Sequence, residues 1–113
     1  MSQNRNKLIN LLIGNLANSI IHIILEKAIN KPEINEKYRK ELVNSFQIAK
    51  KYREKINPKE SSFPSGDIEY IKEKLIKRVR AELSLRISKG YQNINLNLIK
   101  PEVDKILSEL LIR

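Results

Sequence analysis

The chain has no cysteine and no tryptophan, a single histidine, and an aromatic share of only 5%. Without cysteine there is no disulfide, no thiolate zinc site and no thiol nucleophile. One histidine leaves no imidazole pair for a metal and no Ser–His–acid set that can be assembled. No glycine-rich nucleotide loop is present, because the run NPKESSFPSG at 57–66 lacks the Gly-Lys-Ser/Thr ending that cradles phosphate. The expectation is a chain that is not an enzyme and holds no cofactor. Catalysis by carboxylates alone leaves no sequence signature of its own.

Acidic charge is also in short supply. Twenty-two Lys and Arg face thirteen Asp and Glu, giving a net charge of +9 and a pI near 9.9. Such an excess attracts nucleic acid, anionic lipid or an acidic protein; it also serves simply to keep a small protein soluble. The isoleucine- and lysine-rich composition suits a thermophile.

What is plentiful is helical pattern. With 113 residues, 41% hydrophobic and 31% charged, the chain reads as one globular domain over 1–113. Three glycines and four prolines leave long uninterrupted stretches between them. The first predicted helix runs from about Arg5 to Asn30, after a frayed 1–4, and is stopped by Pro32. Leu8, Ile9, Leu12, Ile13, Leu16, Ile20, Ile21, Ile23, Ile24 and Leu25 cover most of its circumference. Its length is near the minimum that spans a bilayer. Asn10, Asn15, Asn18, Ser19 and His22 would then sit at bilayer depth, where polar groups are costly, and no convincing cleavage site follows. A cytoplasmic core helix, with no membrane partner, is the reading. Gly14 is expected to let another helix approach closely.

The second helix is predicted from about Glu33 to Ile56, with Ile34, Tyr38, Leu42, Ser45 or Phe46, Ala49, Tyr52 and Ile56 in a three-four alternation. After the 57–66 connector, where Phe63 is a candidate anchor, a third runs from Asp67 to Lys89 with Ile68, Ile71, Leu75, Val79, Leu83 and Ile87 facing inward. Residues 90–100 form a second connector. Within it Ile94, Leu96 and Leu98 alternate with Asn93, Asn95 and Asn97, an extended segment laid on the core or a strand paired across a dimer. Pro101 opens a last helix to about Ile112. The fold class is all-α: a bundle of three long helices and a short C-terminal one. The first helix is so apolar that a homodimer is expected, with Leu12, Leu16, Ile20, Ile21 and Ile24 at its interface.

Two constellations carry chemistry. Asn15, Asn18, Ser19, His22 and Glu26 form the one polar strip on the first helix. His22 and Glu26, four apart, would make half of a metal or acid–base site; a polar seam between helices is the plainer reading. On the third helix Tyr70, Lys74, Lys77 and Arg78 share a basic face, and Lys50, Lys51 and Arg53 add charge from the second. Lysines and arginines along a rigid helix can track phosphates, and Tyr70 can stack on a base. Arg78, Glu82 and Arg86 are spaced for a ladder of ion pairs. Three functions follow: a non-enzymatic interaction module that oligomerises or docks on a larger assembly, a sequence-nonspecific nucleic-acid-binding protein, or an enzyme or metal protein centred on the polar seam.

Overall fold

The computed structural model describes residues 2–28, 32–56 and 65–110, all of them in helices, turns or short connections, with no strand among them. The order is α1 (Ser2–Ala28), α2 (Pro32–Ile56), α3 (Ser65–Ser88) and α4 (Ile99–Leu110), with a single 3₁₀ turn at Leu96–Leu98. The all-α class is as expected. Helix α1 begins at Ser2, so residues 2–4 of the segment expected to fray are helical. Phe63, and the side chains of Ile34, Tyr38, Leu42 and Ile56, lie outside the described residues.

Helix α1 is the spine of a particle measuring 43 × 23 × 22 Å. It packs against α2, α3 and α4, and α4 also packs on α3. Its buried positions come in adjacent pairs, Leu12–Ile13, Leu16–Ala17, Ile20–Ile21 and Ile24–Leu25, repeating every four residues. Pairing of this kind makes a broad apolar stripe that needs neighbours on more than one side. Helix α2 supplies Ala49, with Phe46 and Tyr52 packed at the edge. Helix α3 supplies Ile71, Leu75, Val79 and Leu83, and α4 supplies Ile99, Val103, Ile106 and Leu107. The pairs Glu26–Arg39 and His22–Glu41 show that α2 runs antiparallel to α1.

This packing corrects the premise behind the expected α1 dimer. Leu12, Leu16, Ile20, Ile21 and Ile24 are each between 0% and 5% exposed within the single chain. Three neighbours do cover them. A dimer built on these five would require the chain to open.

One local expectation changes as well. Ile87 is 40% exposed, not inward, because steps of four drift around the helix and carry the end of the row away from the core. Gly90 takes a φ of +102°, and α3 closes with Gly90 N–H donating to the Ile87 carbonyl and Tyr91 N–H to that of Arg86. This is the paired hydrogen-bond pattern that glycine favours past a helix end. The Asn/Leu alternation at 93–98 forms no strand. Asn95 Oδ1 accepts from Asn97 N–H at 3.0 Å, which turns the backbone into the 3₁₀ turn and so into α4 at Ile99. Ile94, Leu96 and Leu98 nevertheless pack against the core while Asn93, Asn95 and Asn97 face out. Pro101 sits in the first turn of α4, where an absent N–H costs little.

Two substitutions test this core. Leu16→Ala should destabilise the protein by about 2–5 kcal/mol, because a fully buried leucine leaves a cavity. Gly14→Ala should stabilise it by up to about 1 kcal/mol through helix propensity, since the new methyl meets only the Arg78 guanidinium, at 3.8 Å. Urea unfolding midpoints read both. A destabilised Gly14→Ala would mean that α1 needs the glycine for closer contact than the structure shows.

Candidate nucleic-acid interface and the polar seam

Of the seven residues expected to meet nucleic acid, six are exposed and one is not. Tyr70, Lys74, Lys77 and Arg78 are exposed on α3, as are Lys50 and Lys51 on α2. Arg53 is 4% exposed, so its charge is not offered to a polyanion. The reason is its place one turn beyond Ala49, on the strip of α2 that faces the core, where an arginine's long aliphatic stem can be buried.

The basic face of α3 has some internal order. Lys74 Nζ lies 5.6 Å from the centre of the Tyr70 ring, a cation–π distance. Lys77 approaches Glu73 at 3.8 Å, an exposed pair worth only about 0.3–0.5 kcal/mol. The Arg78–Glu82–Arg86 ladder does not close among the described residues. Arg78 instead reaches α1, where its guanidinium lies over the bare backbone of Gly14. Arg86 lies 5.6 Å from the Tyr91 ring. Gly14 therefore admits a flat side chain, where a whole helix was expected.

Beside that approach lies an open, shallow cleft between α1 and α3 of about 600 Å³. Lys7, Asn10, Asn15, Asn18 and Arg78 line it around Gly14, with Leu11, 37% exposed, at its side. Neither Lys7 nor Asn10 stood out in the sequence as part of a site. The signal was the four-residue spacing of Asn10, Gly14 and Asn18, which puts them on one face of α1.

The polar strip on α1 separates into individual jobs. Ser19 is completely buried, and its hydroxyl donates to the Asn15 carbonyl one turn back at 3.1 Å. Asn15 Nδ2 donates in the same way to the Leu11 carbonyl at 2.9 Å. Glu26 accepts from Arg39 of α2 at 2.6 Å, and His22 Nε2 lies 3.3 Å from a carboxylate oxygen of Glu41, also on α2. His22 and Glu26 thus each turn to the neighbouring helix and make two ties from α1 to α2, the arrangement of a polar seam between helices. No group of three or more His, Asp or Glu placed to hold a metal occurs among the described residues. Lys27–Glu102 at 3.3 Å and Lys72–Asp104 at 3.0 Å tie α4 to α1 and α3 in the same manner. Hydrogen bonding to Asp104 and its charge hold Lys72 above the ordinary lysine value.

On the side where α4 and α2 flank α1 lies an apolar slot of about 350 Å³, walled by Ile23, Val43, Phe46 and Ile106 and edged by Gln47, Glu102 and Lys105. Val43 is 54% exposed there. Asn6–Ala28 of α1 is also long and apolar enough, by length and composition, to cross a bilayer. A core helix satisfies the same measure, and just over half of the most apolar stretch, 56%, is buried against the rest of the chain.

Burial pushes His22 below its ordinary pKa of 6.5. The Glu41 carboxylate opposes that shift, and the Arg86 guanidinium adds to it. In the unfolded chain His22 takes up a proton near pH 6.5; in the folded chain it does so only at lower pH. Stability is therefore unaffected by His22 above that range. It falls as pH drops through 6.5 and levels off below the folded pKa. Replacing His22 with Asn should remove this component, so that acidification from pH 7.5 to pH 5 lowers the urea midpoint of the wild type more than that of the variant. Equal losses in the two proteins would show that His22 is not held neutral by the fold. No family model, no curated protein and no solved structure matches this chain, so its functional reading rests on its own residues.

Proposed function

We propose that this chain is a non-enzymatic, basic helical interaction module, a bundle of three long helices and one short one, that docks on a larger nucleic-acid-containing assembly in the cytoplasm. The observation that carries this reading is the exposed row of Tyr70, Lys74 and Arg78 at four-residue steps along α3. Lys77 lies beside the row, and Lys50 and Lys51 add charge from α2. A row of this kind on a rigid helix meets phosphates by charge and reads no base sequence. The excess of +9 supplies attraction at long range. The absence of thiols and of a second histidine fits a partner-binding role better than a catalytic one.

A second reading, self-association, is favoured by the apolar slot at Ile23, Val43, Phe46 and Ile106. A second copy covering it would bury the exposed Val43. A single species of 13.2 kDa at micromolar concentration in light scattering removes that reading, and Val43→Asp should dissociate any oligomer built there.

The nucleic-acid reading makes a quantitative prediction. Binding to labelled duplex DNA or single-stranded RNA at low salt should be insensitive to sequence. With about four to six phosphates neutralised, log affinity should fall against log salt with a slope of roughly −4 to −5 on duplex DNA. Changing Lys74 and Lys77 together to Gln should make that slope shallower by about 2, one unit for each phosphate no longer neutralised. The fold should persist, because both side chains are exposed. If neither nucleic acid binds at low salt, the charge serves an acidic protein or the solvent.

A further inference from the structure

The cleft between α1 and α3 has a composition that the basic face of α3 alone does not. Among the described residues its lining holds two cations, Lys7 and Arg78, three carboxamides, Asn10, Asn15 and Asn18, and no carboxylate. It is an open, shallow depression of about 600 Å³, wide enough to seat one nucleotide unit of a longer ligand. The Arg78 guanidinium lies beside Gly14 of α1, 3.8 Å from where a Cβ would stand. A guanidinium placed there offers its planar array of N–H donors to a phosphate. Asn15 uses its Nδ2 on the Leu11 carbonyl, which leaves its oxygen as an acceptor. Asn10 and Asn18 are exposed, and each carries two donors and an acceptor.

We infer that this cleft is a binding site for single-stranded nucleic acid, with phosphate charge met by Arg78 and Lys7 and an unpaired base edge met by Asn10 and Asn18. The inference deepens the nucleic-acid reading above and rests on it. Two observations favour a single strand over a duplex. Carboxamides donate to phosphates, and with their paired donor and acceptor they also match the hydrogen-bonding edges that unstacked bases expose. Tyr70 lies on the same strip of α3 two turns before Arg78 and is 45% exposed, so the strand leaving the cleft along α3 meets a ring on which a base can stack. Leu11, partly exposed beside Asn10, gives the base an apolar neighbour.

The test is fluorescence anisotropy at low salt with three probes: labelled oligouridine, a DNA duplex of the same length, and uridine monophosphate as competitor. The variants are Arg78→Gln and Asn18→Asp in the cleft, and the Lys74→Gln/Lys77→Gln pair on the outer face of α3. Circular dichroism checks each fold, and the exposed Asn18 makes its variant the safer of the two. The expected result is that oligouridine binds more tightly than duplex. Arg78→Gln should weaken it about tenfold, because a charged hydrogen-bond donor is removed. Asn18→Asp should weaken it by a similar factor, by placing a carboxylate against the phosphates. If both cleft variants bind oligouridine like the wild type while the Lys74/Lys77 pair binds it more weakly, the cleft assignment falls and the module reading stands. If the wild type binds no nucleic acid, both fall. Duplex binding as tightly as oligouridine, or the mononucleotide competing at equal concentration, would also overturn the single-strand assignment.

Discussion

Everything in this molecule depends on removing the apolar stripe of α1 from water. Half of the buried apolar residues belong to that one helix, and the described parts of α2, α3 and α4 supply the other half between them. At about 25 cal/mol for each Å² of apolar surface buried, a helix carrying so many isoleucines and leucines is the main source of stability. It also dictates placement. The three other helices are positioned by which part of the stripe each covers, with α4 bridging α1 and α3. The inter-helix ion pairs sit around this arrangement, each bringing a charge of α1 or α3 to one on α2 or α4.

The polar groups on α1 follow from the same constraint. A serine at zero exposure would be costly without a partner, and Ser19 avoids the cost by bonding to its own backbone one turn back. His22 and Glu26, at the stripe's edge, meet Glu41 and Arg39 of the antiparallel neighbour. The strip that resembled a site in the sequence is, for these residues, the boundary where α1 meets α2. Asn10 and Asn18 are different. They are exposed, and they line the cleft together with Arg78 of α3. A polar residue that no inter-helix pairing consumes is available for a ligand.

Much of the fold was legible in the sequence because helical periodicity is local. The four helices, the glycine stop after α3 and the inward row Ile71, Leu75, Val79 and Leu83 all follow from spacing. Two features were not, and each depends on a long-range fact. Whether three neighbours suffice to cover α1 depends on how they pack, which spacing along one helix does not determine; hence the expected dimer face lies inside the chain. Arg53 was grouped with Lys50 and Lys51 by charge, although its place after Ala49 puts it on the covered strip. The alternation at 93–98 does lay Ile94, Leu96 and Leu98 on the core, as a connector was expected to, while Asn95 caps its backbone into a turn. Alternation reports which side chains face in; the hydrogen bonds that accompany it depend on what lies alongside.

The candidate site was legible only by halves. The face of α3 was visible as a run of cations on one side, but a single helix cannot show that Arg78 crosses to α1. Once it does, its role changes from one charge among many to the shared wall of a cleft. The rest of the positive charge is then easier to understand. Cations on the outer faces are dispersed, and several are occupied locally, Lys77 with Glu73, Lys40 with Glu36 and Lys50 above Phe46. Dispersed, partly satisfied charge attracts a polyanion without fixing where it lies. The cleft residues Lys7, Asn10, Asn18 and Arg78 differ from that outer charge in being brought together from two helices. Long-range attraction by a whole surface and local registration at one place are separable properties, and Arg78, exposed on α3 and beside Gly14 of α1, is the residue that would serve both.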